Sequence, residues 1–211
     1  MFWCGMDGQS YYPDRMQVVK GSEIRHTVRV VTPPTSEPVT IQEAKAQLNI
    51  GASDVSSDVE IAAMIAAARE EWERDTSTAL ITRTLEHRLP RWLDVIQLTV
   101  RPVVAISSIT YIDRNGDSQT VSAADYYLDG EQVRFLRTFT KSALKDRSEA
   151  VKITYTAGYG ADVFQLPQMD RMAIKLSVAN RFENRDDMMG GAGERKAYEA
   201  LVQKKMRASY P

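Results

Sequence analysis

The sequence has few of the residues that build covalent, metal or redox centres. Cys4 is the only cysteine among 211 residues, which excludes an internal disulfide framework and a cysteine-based zinc site. A single thiol is compatible with a reducing compartment. The two histidines, His26 and His87, lie in neither an HExxH motif nor another metal-binding spacing. We therefore expect no metal ion and no cofactor.

Long apolar runs and an excess of charge of one sign are also missing. No stretch approaches the roughly 18 consecutive apolar residues of a membrane-spanning helix, and the N-terminus lacks the apolar core of a signal peptide. The 27 basic and 28 acidic residues leave a formal net charge of -1, so the composition does not require a polyanionic partner. We expect a soluble protein that is intracellular where it is made, with no membrane partner.

The motifs of common enzymes and nucleotide-binding proteins are absent as well. The glycine-rich stretch 157–160 fits neither a phosphate-binding loop nor a dinucleotide fingerprint, and it is interpreted as a structural turn. The chain contains no GxSxG elbow and no kinase-like loop. Asp186 and Asp187 stand at a predicted helix end, and Glu70, Glu71 and Glu73 stand on a helix face that we expect to be solvated. We predict a protein that is not an enzyme and assign no catalytic residue.

The clearest periodic pattern lies in residues 57–80 and predicts a long amphipathic helix. One face carries apolar residues at offsets 0, 3, 4, 7 and 11, namely Ile61, Met64, Ile65, Ala68 and Trp72. The remaining faces carry charges that we expect to be in water, namely Glu60, Arg69, Glu70, Glu73 and Arg74. Ser57 and Glu60 have the spacing of a capping box at the start of the helix.

Two further helices are predicted on either side of a strand-rich region. Thr40 and Glu43 form a second capping box, which predicts a short helix ending at 49–51 and packing antiparallel to the long one. Pro167 opens a helix that continues to about Arg185. Its apolar residues spread over a wide arc, so we expect more than one face to be covered: Met169, Met172, Ala173, Leu176, Val178 and Phe182.

The region between these helices has the composition and alternation of short strands. Predicted strands cover residues 82–89, 95–100, 103–113, 118–121, 126–128, 132–136 and 150–156. Asn115-Gly116 predicts a type I′ hairpin turn, with positive φ at both residues. Residues 137–149 are interpreted as a surface loop with a helical turn. The predicted fold is α+β: an antiparallel helical core of the short, long and C-terminal helices, with an inserted small antiparallel β region.

The two ends of the chain are predicted to lie outside the main domain, which covers residues 31–187. Residues 1–30 are interpreted as a flexible N-terminal arm, and because Met6 and Met16 are alternative starts, residues 1–15 need not belong to the natural product. Residues 188–211 form a glycine-tethered tail with a predicted helix at 194–208. The apolar side of this helix either packs on its own domain or binds a partner.

The order of these segments resembles the phage head-tail connector (adaptor) family, also described as gp6-like or phiE125 gp8-like. The resemblance covers Val31 to Asp187. Four stretches carry it: VTPPTSEPVTIQEAKAQLNI (31–50), DVEIAAMIAAAREEWERDTSTALITRTLEHRL (58–89), RPVVAISSITYIDRNG (101–116) and VKITYTAGYGADVFQLPQMDRMAIKLSVANRFENRD (151–186). The arm before Val31 is longer than the family pattern, and the family offers no guidance for residues after Gly190.

The resemblance implies a structural protein of the virion, located at the head-tail interface and made in the host bacterial cytoplasm. Family members form a dodecameric ring beneath the portal protein, extend the DNA channel and present a surface to a tail-side head-completion or tail-terminator protein. The implied partners are the portal protein, that tail-side protein and further copies of the chain. DNA is expected to pass through the channel without sequence-specific binding.

Candidate interaction residues follow from combining this resemblance with the helix patterns. We predict that the C-terminal helix binds the portal protein through Tyr198, Leu201, Val202, Lys205 and Met206. We predict that the long helix and the Pro167 helix contribute Trp72, Met172 and Phe182 to contacts between subunits. Such rings need two different faces on each subunit.

Two other classes of function stay open at this point. A DNA-binding module of the packaging apparatus would need a basic stripe, for which the segment from Lys196 to Arg207 is the one candidate. An enzyme, such as a tail-associated hydrolase, is disfavoured by the motif search.

Overall fold

The computed structural model describes residues 26–184 and 192–208. The expectations for residues 1–25, for the glycine tether at 188–191 and for Asp186 and Asp187 lie outside this range. The chain divides into two compact units. A helical unit contains residues 34–82 and the described residues from Gly158 onward, and a β unit contains residues 83–157 together with the described residues before 34. The predicted α+β fold with an inserted antiparallel β region is confirmed.

The helical unit contains four helices at about the predicted positions. They are α1 (Ile41–Gln47), α2 (Asp58–Thr76), α3 (Gln168–Glu183) and α4 (Ala192–Ala208), with a short 3₁₀ turn at Val163–Gln165 before α3. The capping box at the start of α1 is present, because Thr40 accepts from the Glu43 N–H and Glu43 accepts from the Thr40 N–H. The predicted box at α2 is wrong, since the Ser57 side chain makes no capping hydrogen bond.

Helix α2 ends earlier than its pattern predicted. Ser77 adopts a left-handed conformation with φ 52°, so residues 77–80 leave the helix. The buried Glu73 carboxylate accepts a hydrogen bond from the Leu80 N–H at 2.9 Å, which fixes the chain after the turn. Apolar periodicity continues through this segment because Leu80 is also buried, and periodicity alone therefore could not locate the helix end.

The core of the helical unit forms where α2 and α3 meet. Ile61, Ile65, Ala68 and Trp72 are buried as the periodicity predicted, and Met64 is half-buried. They pack with Ala173, Ile174 and Val178 of α3 and with Leu80 and Ile81 after α2. Each large apolar side chain stabilises the fold by roughly 1.5–3 kcal/mol before entropy losses.

The predicted solvation of Arg69 and Glu73 is wrong, because both side chains are buried. Glu73 is 0% exposed and accepts from Arg69 at 3.1 Å, in addition to its bond with the Leu80 N–H. Arg69 also donates to Glu37 at 2.8 Å, in the segment that precedes α1. Burial is tolerated because each charge faces an opposite charge. The network joins α2 to the segment before α1 and to the residues that follow α2.

The β unit consists of two antiparallel sheets. The described strands are β1 (Thr27–Thr32), β2 (Arg83–Leu89), β3 (Val95–Gln97), β4 (Val103–Ile112), β5 (Ser118–Thr120), β6 (Tyr126–Asp129), β7 (Gln132–Phe135) and β8 (Val151–Ala157). Strands β2 to β8 follow the predicted runs, although β3 is shorter, and β1 was not predicted. The sheet orders are β1-β2-β8-β4-β5 and β3-β7-β6. Residues 27–30 were expected to be irregular and are strand instead, because their β-branched run pairs with β2.

Two turn predictions within the β unit are also corrected. Of the Asn115-Gly116 pair only Gly116 has a positive φ, so the turn is not type I′. The Asp113 carboxylate accepts from the N–H groups of residues 115, 116 and 117. The Gly116 N–H also donates to the Asp113 carbonyl at 3.0 Å, so side chain and backbone close the turn together. Residues 137–149 contain no helical turn; the Trp92 ring packs on Phe139, and the Trp92 indole donates to the Ser142 carbonyl.

Candidate functional site

The described part of the chain offers no evident catalytic or metal centre. It contains no group of three or more His, Cys, Asp or Glu side chains that could hold a metal ion. His87 is buried in the β unit with its ring centroid 5.0 Å from that of His26, and neither of its nitrogens has a hydrogen-bond partner among the described residues. Burial and His26 lower the pKa of His87 to about 3, so the ring is neutral at physiological pH.

Membrane insertion is not indicated by the described helices either. None of them combines the length and the apolar character that a bilayer crossing requires.

Helix α4 packs on its own subunit, which is the first of the two alternatives left open for the tail. Its Tyr198 ring meets the edge of the Trp72 ring at a centroid distance of 5.7 Å, and the Tyr198 hydroxyl donates to Asp75 at 3.2 Å. Leu201 and Val202 are half-buried against the core between α2 and α3. The apolar side of α4 is thus covered within the subunit.

A buried ion pair holds the C-terminal part of α4. The Lys205 ammonium donates to the Asp170 carboxylate of α3 at 2.7 Å and to the Tyr159 hydroxyl at 2.8 Å. Burial raises the pKa of the Asp170 carboxyl, although Lys205 opposes the shift. Burial would lower the pKa of Lys205, but the hydrogen bonds to Asp170 and Tyr159 raise it overall. The ammonium therefore stays charged and binds α4 to α3.

The outward face of α4 is mostly polar, with Ala197 and Ala200 exposed among the polar residues. Its exposed residues include Lys196, Glu199, Gln203, Lys204 and Arg207. Of the residues predicted to bind the portal protein, Tyr198, Leu201 and Val202 face the core of their own subunit, Lys205 is buried, and Met206 is half-buried. Lys205 is also unavailable to the basic stripe considered for DNA binding, because it is buried in an ion pair with Asp170.

The three residues predicted for contacts between subunits lie in different environments. Trp72 is 0% exposed and belongs to the core, and Phe182 is half-buried against that core. Met172 is 66% exposed on the side of α3 that faces away from the core. Among these three, Met172 alone presents a largely free side chain, and the role of all three in assembly stays a prediction.

Two exposed apolar surfaces of the helical unit were missed from the sequence. Phe164, in the 3₁₀ turn before α3, is 82% exposed. On α2, Val59 is 87% exposed, and Ala63 and Ala67 follow it on the same outward face. The four-residue spacing of Val59, Ala63 and Ala67 was visible in the sequence, but the stronger stripe on the opposite face of α2 masked it.

Solved structures with a similar fold come from gene transfer agent (GTA) particles. The chain is similar to chains in "Neck of empty GTA particle computed with C6 symmetry" (24% identity, TM-score 0.69, 85% of this chain and 94% of that chain), "Virion of native gene transfer agent (GTA) particle" (25%, 0.70, 84% and 93%) and "Neck of native GTA particle computed with C12 symmetry" (25%, 0.64, 85% and 94%). No protein-family model and no curated protein matches the chain.

The exposed side chains of the helical unit determine which contacts with other molecules it can make. Among the described residues, the helical unit offers an outward, mostly polar face on α4 and exposed apolar side chains at Val59, Phe164 and Met172.

Proposed function

We propose that the chain is a structural head-tail connector (adaptor) of a tailed phage or phage-like particle. The observation that carries the proposal is the similarity of fold to chains of gene transfer agent necks and virions, which covers 84% or more of this chain and 93% or more of each of theirs. An agreement over nearly the whole of both chains makes a shared structural role the simplest interpretation. A structural role requires no catalytic residues and no cofactor.

The connector acts as a ring of identical copies, and twelve is the proposed number. Two of the similar structures were computed with C6 and C12 symmetry, and both symmetries are compatible with a twelvefold arrangement. A ring built by rotation joins two different surfaces of neighbouring subunits, and it closes when the rotation angle divides a full turn. The exposed apolar surfaces of the helical unit are suited to such contacts.

The portal protein is the proposed partner on the head side, and α4 is the element that binds it. Because the apolar side of α4 is covered by its own subunit, the contact uses the outward residues Lys196, Lys204 and Arg207 in place of the predicted buried ones. Tyr198, Leu201, Val202 and Lys205 support this contact indirectly by holding α4 in position.

The remaining surfaces of the ring serve DNA and the tail. A net charge of -1 suits a channel that lets DNA slide, because several basic side chains bound to phosphates would hold the DNA in a salt-dependent manner. On the tail side, the ring presents a surface to a head-completion or tail-terminator protein.

Electron microscopy of the full chain mixed with its portal protein tests the function. We expect a ring of this chain attached coaxially to the portal ring, with density for about twelve copies. The triple variant K196E/K204E/R207E should lose attachment by tenfold or more while keeping its folded circular dichroism spectrum. A matched control is T120R, which places a charge on exposed strand β5. Wild-type protein that neither forms rings nor binds the portal would rule out the connector role.

A further inference from the structure

The turn between β4 and β5 contains the chain's only Asn-Gly pair. Of the four asparagines in the sequence, Asn115 alone is followed by glycine, and both residues of the pair are exposed to solvent. A side chain on the residue after an asparagine hinders the approach of that residue's nitrogen to the asparagine amide, and glycine has no side chain. Asn115 is therefore the asparagine whose amide is sterically most open to attack by the next peptide nitrogen.

The reaction open to such a pair is the spontaneous loss of the asparagine amide, and asparagine is one of the thermolabile residues. The Gly116 nitrogen gives up its proton and forms a bond to Cγ of Asn115. The bond from Cγ to Nδ2 breaks, and Nδ2 leaves with that proton as ammonia. Solvent water then opens the resulting cyclic imide at either carbonyl, which leaves an aspartate or an isoaspartate at position 115. The sequence of steps needs no oxidant and no reductant.

The Asp113 carboxylate holds the nitrogen that would attack. The Gly116 N–H donates to Oδ1 of Asp113 at 3.0 Å and to the Asp113 carbonyl at 3.0 Å. The nitrogen therefore shares its proton with two acceptors, one of which carries a negative charge. Loss of the proton would break a charge-assisted hydrogen bond and place a second negative charge beside the carboxylate.

The same carboxylate fixes the backbone on either side of this nitrogen. The N–H groups of Asn115 and Asp117 donate to the same Oδ1 atom at 2.9 and 3.0 Å, and the side chain of Gln119 donates to Oδ2 at 3.2 Å. Hydrogen bonds, foremost that from the Asp117 N–H, lower the pKa of Asp113, so the carboxyl group is charged at neutral pH. Closure of the imide requires the Gly116 nitrogen to turn towards Cγ of Asn115, and this rotation breaks the hydrogen bonds of the turn.

We propose that Asn115 is a site of spontaneous modification to aspartate or isoaspartate, and that Asp113 slows the modification by holding the Gly116 nitrogen and its proton. The proposal does not depend on the connector function. Aspartate at position 115 adds a negative charge between Asp113 and Asp117 in the chain, and isoaspartate also lengthens the main chain. Both products would disturb the turn that pairs β5 with β4.

Mass spectrometry of the full chain tests the proposal. The wild type and the variants Asp113→Ala, Asp113→Asn and Asp117→Ala are incubated at neutral pH, both folded and unfolded in guanidinium chloride. Conversion is measured on the peptide that contains position 115, because an acid and an amide differ in mass. Asp117→Ala is the matched control: it also removes a negative charge from the turn, but it removes none of the three hydrogen bonds that the Asp113 carboxylate accepts from the backbone.

We expect the folded wild type to convert Asn115 about tenfold more slowly than the unfolded chain, the size expected for a hydrogen bond to a charged group. Asp113→Ala should remove most of this difference, and Asp117→Ala should stay within about twofold of the wild type. Asp113→Asn keeps an oxygen acceptor without the charge and should convert at an intermediate rate. All four proteins should convert at similar rates when they are unfolded. If circular dichroism shows that Asp113→Ala does not fold, the comparison of Asp113→Asn with the wild type decides.

Several results would overturn the proposal. Equal rates in the folded and unfolded wild type would show that the turn gives no protection. Equal rates in folded wild type and folded Asp113 variants would show that the protection does not come from Asp113. An acceleration by Asp117→Ala as large as that by Asp113→Ala would assign the effect to the charge of the turn and not to the hydrogen bonds. An absence of conversion at position 115 even in the unfolded chain would exclude the site itself.

Discussion

At the scale of single residues, the helical unit contains charged side chains that are buried together with an opposite charge. Asp170 pairs with Lys205 and Glu73 pairs with Arg69, and the buried Lys45 pairs with the partly exposed Asp58. A buried pair contributes little compared with an apolar pair of the same shape, but the loss of one partner leaves a charge without compensation. These pairs therefore fix the positions of α4, α2 and α1 more than they add to stability.

The Lys205–Asp170 pair leads to a prediction for α4. Lys205→Met should lower the free energy of unfolding by about 3 kcal/mol, because the Asp170 carboxylate stays buried without its cation. The loss should shrink as the pH falls, since burial already raises the pKa of Asp170 and a protonated carboxyl needs no counter-ion. Lys204→Met, one residue away and exposed, should change the value by less than about 0.5 kcal/mol. Urea unfolding measures both, and equal losses would contradict the pairing.

Because His87 is buried as a neutral ring, we predict that the β unit becomes less stable in acid. The pKa of His87 is about 3 in the folded protein, and it is about 6.5 when the chain is unfolded. Between these values the unfolded chain binds a proton that the folded chain does not bind. Stability should therefore fall by about 1.4 kcal/mol per pH unit from this group as the pH drops from about 6.5 towards 3.

The variant His87→Leu should remove this contribution and flatten the dependence of stability on pH. Chemical unfolding of the wild type and the variant at pH 7, 6, 5 and 4 measures the difference between the two slopes. Carboxylates contribute equally to both proteins, so the difference isolates the histidine. Parallel pH profiles would show that His87 is not buried as a neutral ring.

At the scale of elements, helices α1 and α2 begin with different hydrogen bonds and ion pairs. Helix α1 begins with a reciprocal side-chain cap between Thr40 and Glu43. Burial by itself would raise the pKa of Glu43, but the Thr40 N–H, Arg171 and Lys175 lower it overall. Helix α2 begins at Ser57 without a side-chain cap, and Lys45 of α1 pairs with Asp58 in its first turn. The same sequence spacing therefore corresponds to two different structures.

This difference predicts unequal effects of two matched substitutions. Thr40→Ala should lower the free energy of unfolding by about 1 kcal/mol, because an N–H group in the first turn of α1 loses its acceptor. Ser57→Ala should change it by less than about 0.5 kcal/mol, because no capping hydrogen bond is lost. Thermal or urea unfolding distinguishes them, and a larger effect at Ser57 would show that its side chain caps α2 in solution.

A close backbone contact at Gly158 fixes the turn that follows β8. The φ of Gly158 is 136°, and a Cβ atom there would lie 2.5 Å from the Cα atom of Thr82. The stretch 157–160 follows β8 and meets the chain just before β2, where the Thr82 N–H donates to the Gly160 carbonyl at 2.9 Å. This close approach supports the interpretation of the stretch as a structural turn.

At the scale of the whole molecule, the structure separates residues that maintain the subunit from residues that are available for assembly. Trp72→Ala should lower the free energy of unfolding by about 3–5 kcal/mol, because it leaves a cavity between α2, α3 and α4. Any loss of ring formation in this variant should follow from unfolding.

In contrast to Trp72→Ala, the substitution Met172→Glu should affect assembly and leave the stability of the subunit nearly unchanged. The side chain is largely exposed, so stability should change by less than about 0.5 kcal/mol, while ring formation should weaken by tenfold or more. Ultracentrifugation at a concentration where the wild type forms rings measures this, with circular dichroism as the control for folding. Unchanged rings would exclude Met172 from the contact between subunits.

The sequence predicted the elements well because their signals are local. The α2 stripe at Ile61, Ile65, Ala68 and Trp72, the Thr40–Glu43 cap and the hairpin strands on either side of Gly130 each depend on residues that are close in the chain. The sequence was less successful in predicting which side chains are buried and which are exposed. A charged residue such as Glu73 was assigned to water by its chemistry, and the distant residues that make its burial tolerable could not be identified from a local pattern.

The sequence by itself determined the fold class, the order of helices and strands, and the positions of most turns, because periodicity and turn chemistry act over a few residues. Tertiary structure alone decided that α4 covers its own subunit, that Glu73 and Lys205 are buried, and that Phe164 and Val59 are left exposed. The physical reason is that burial of a side chain depends on which distant elements pack against it, and that packing brings together residues as far apart as Asp170 and Lys205.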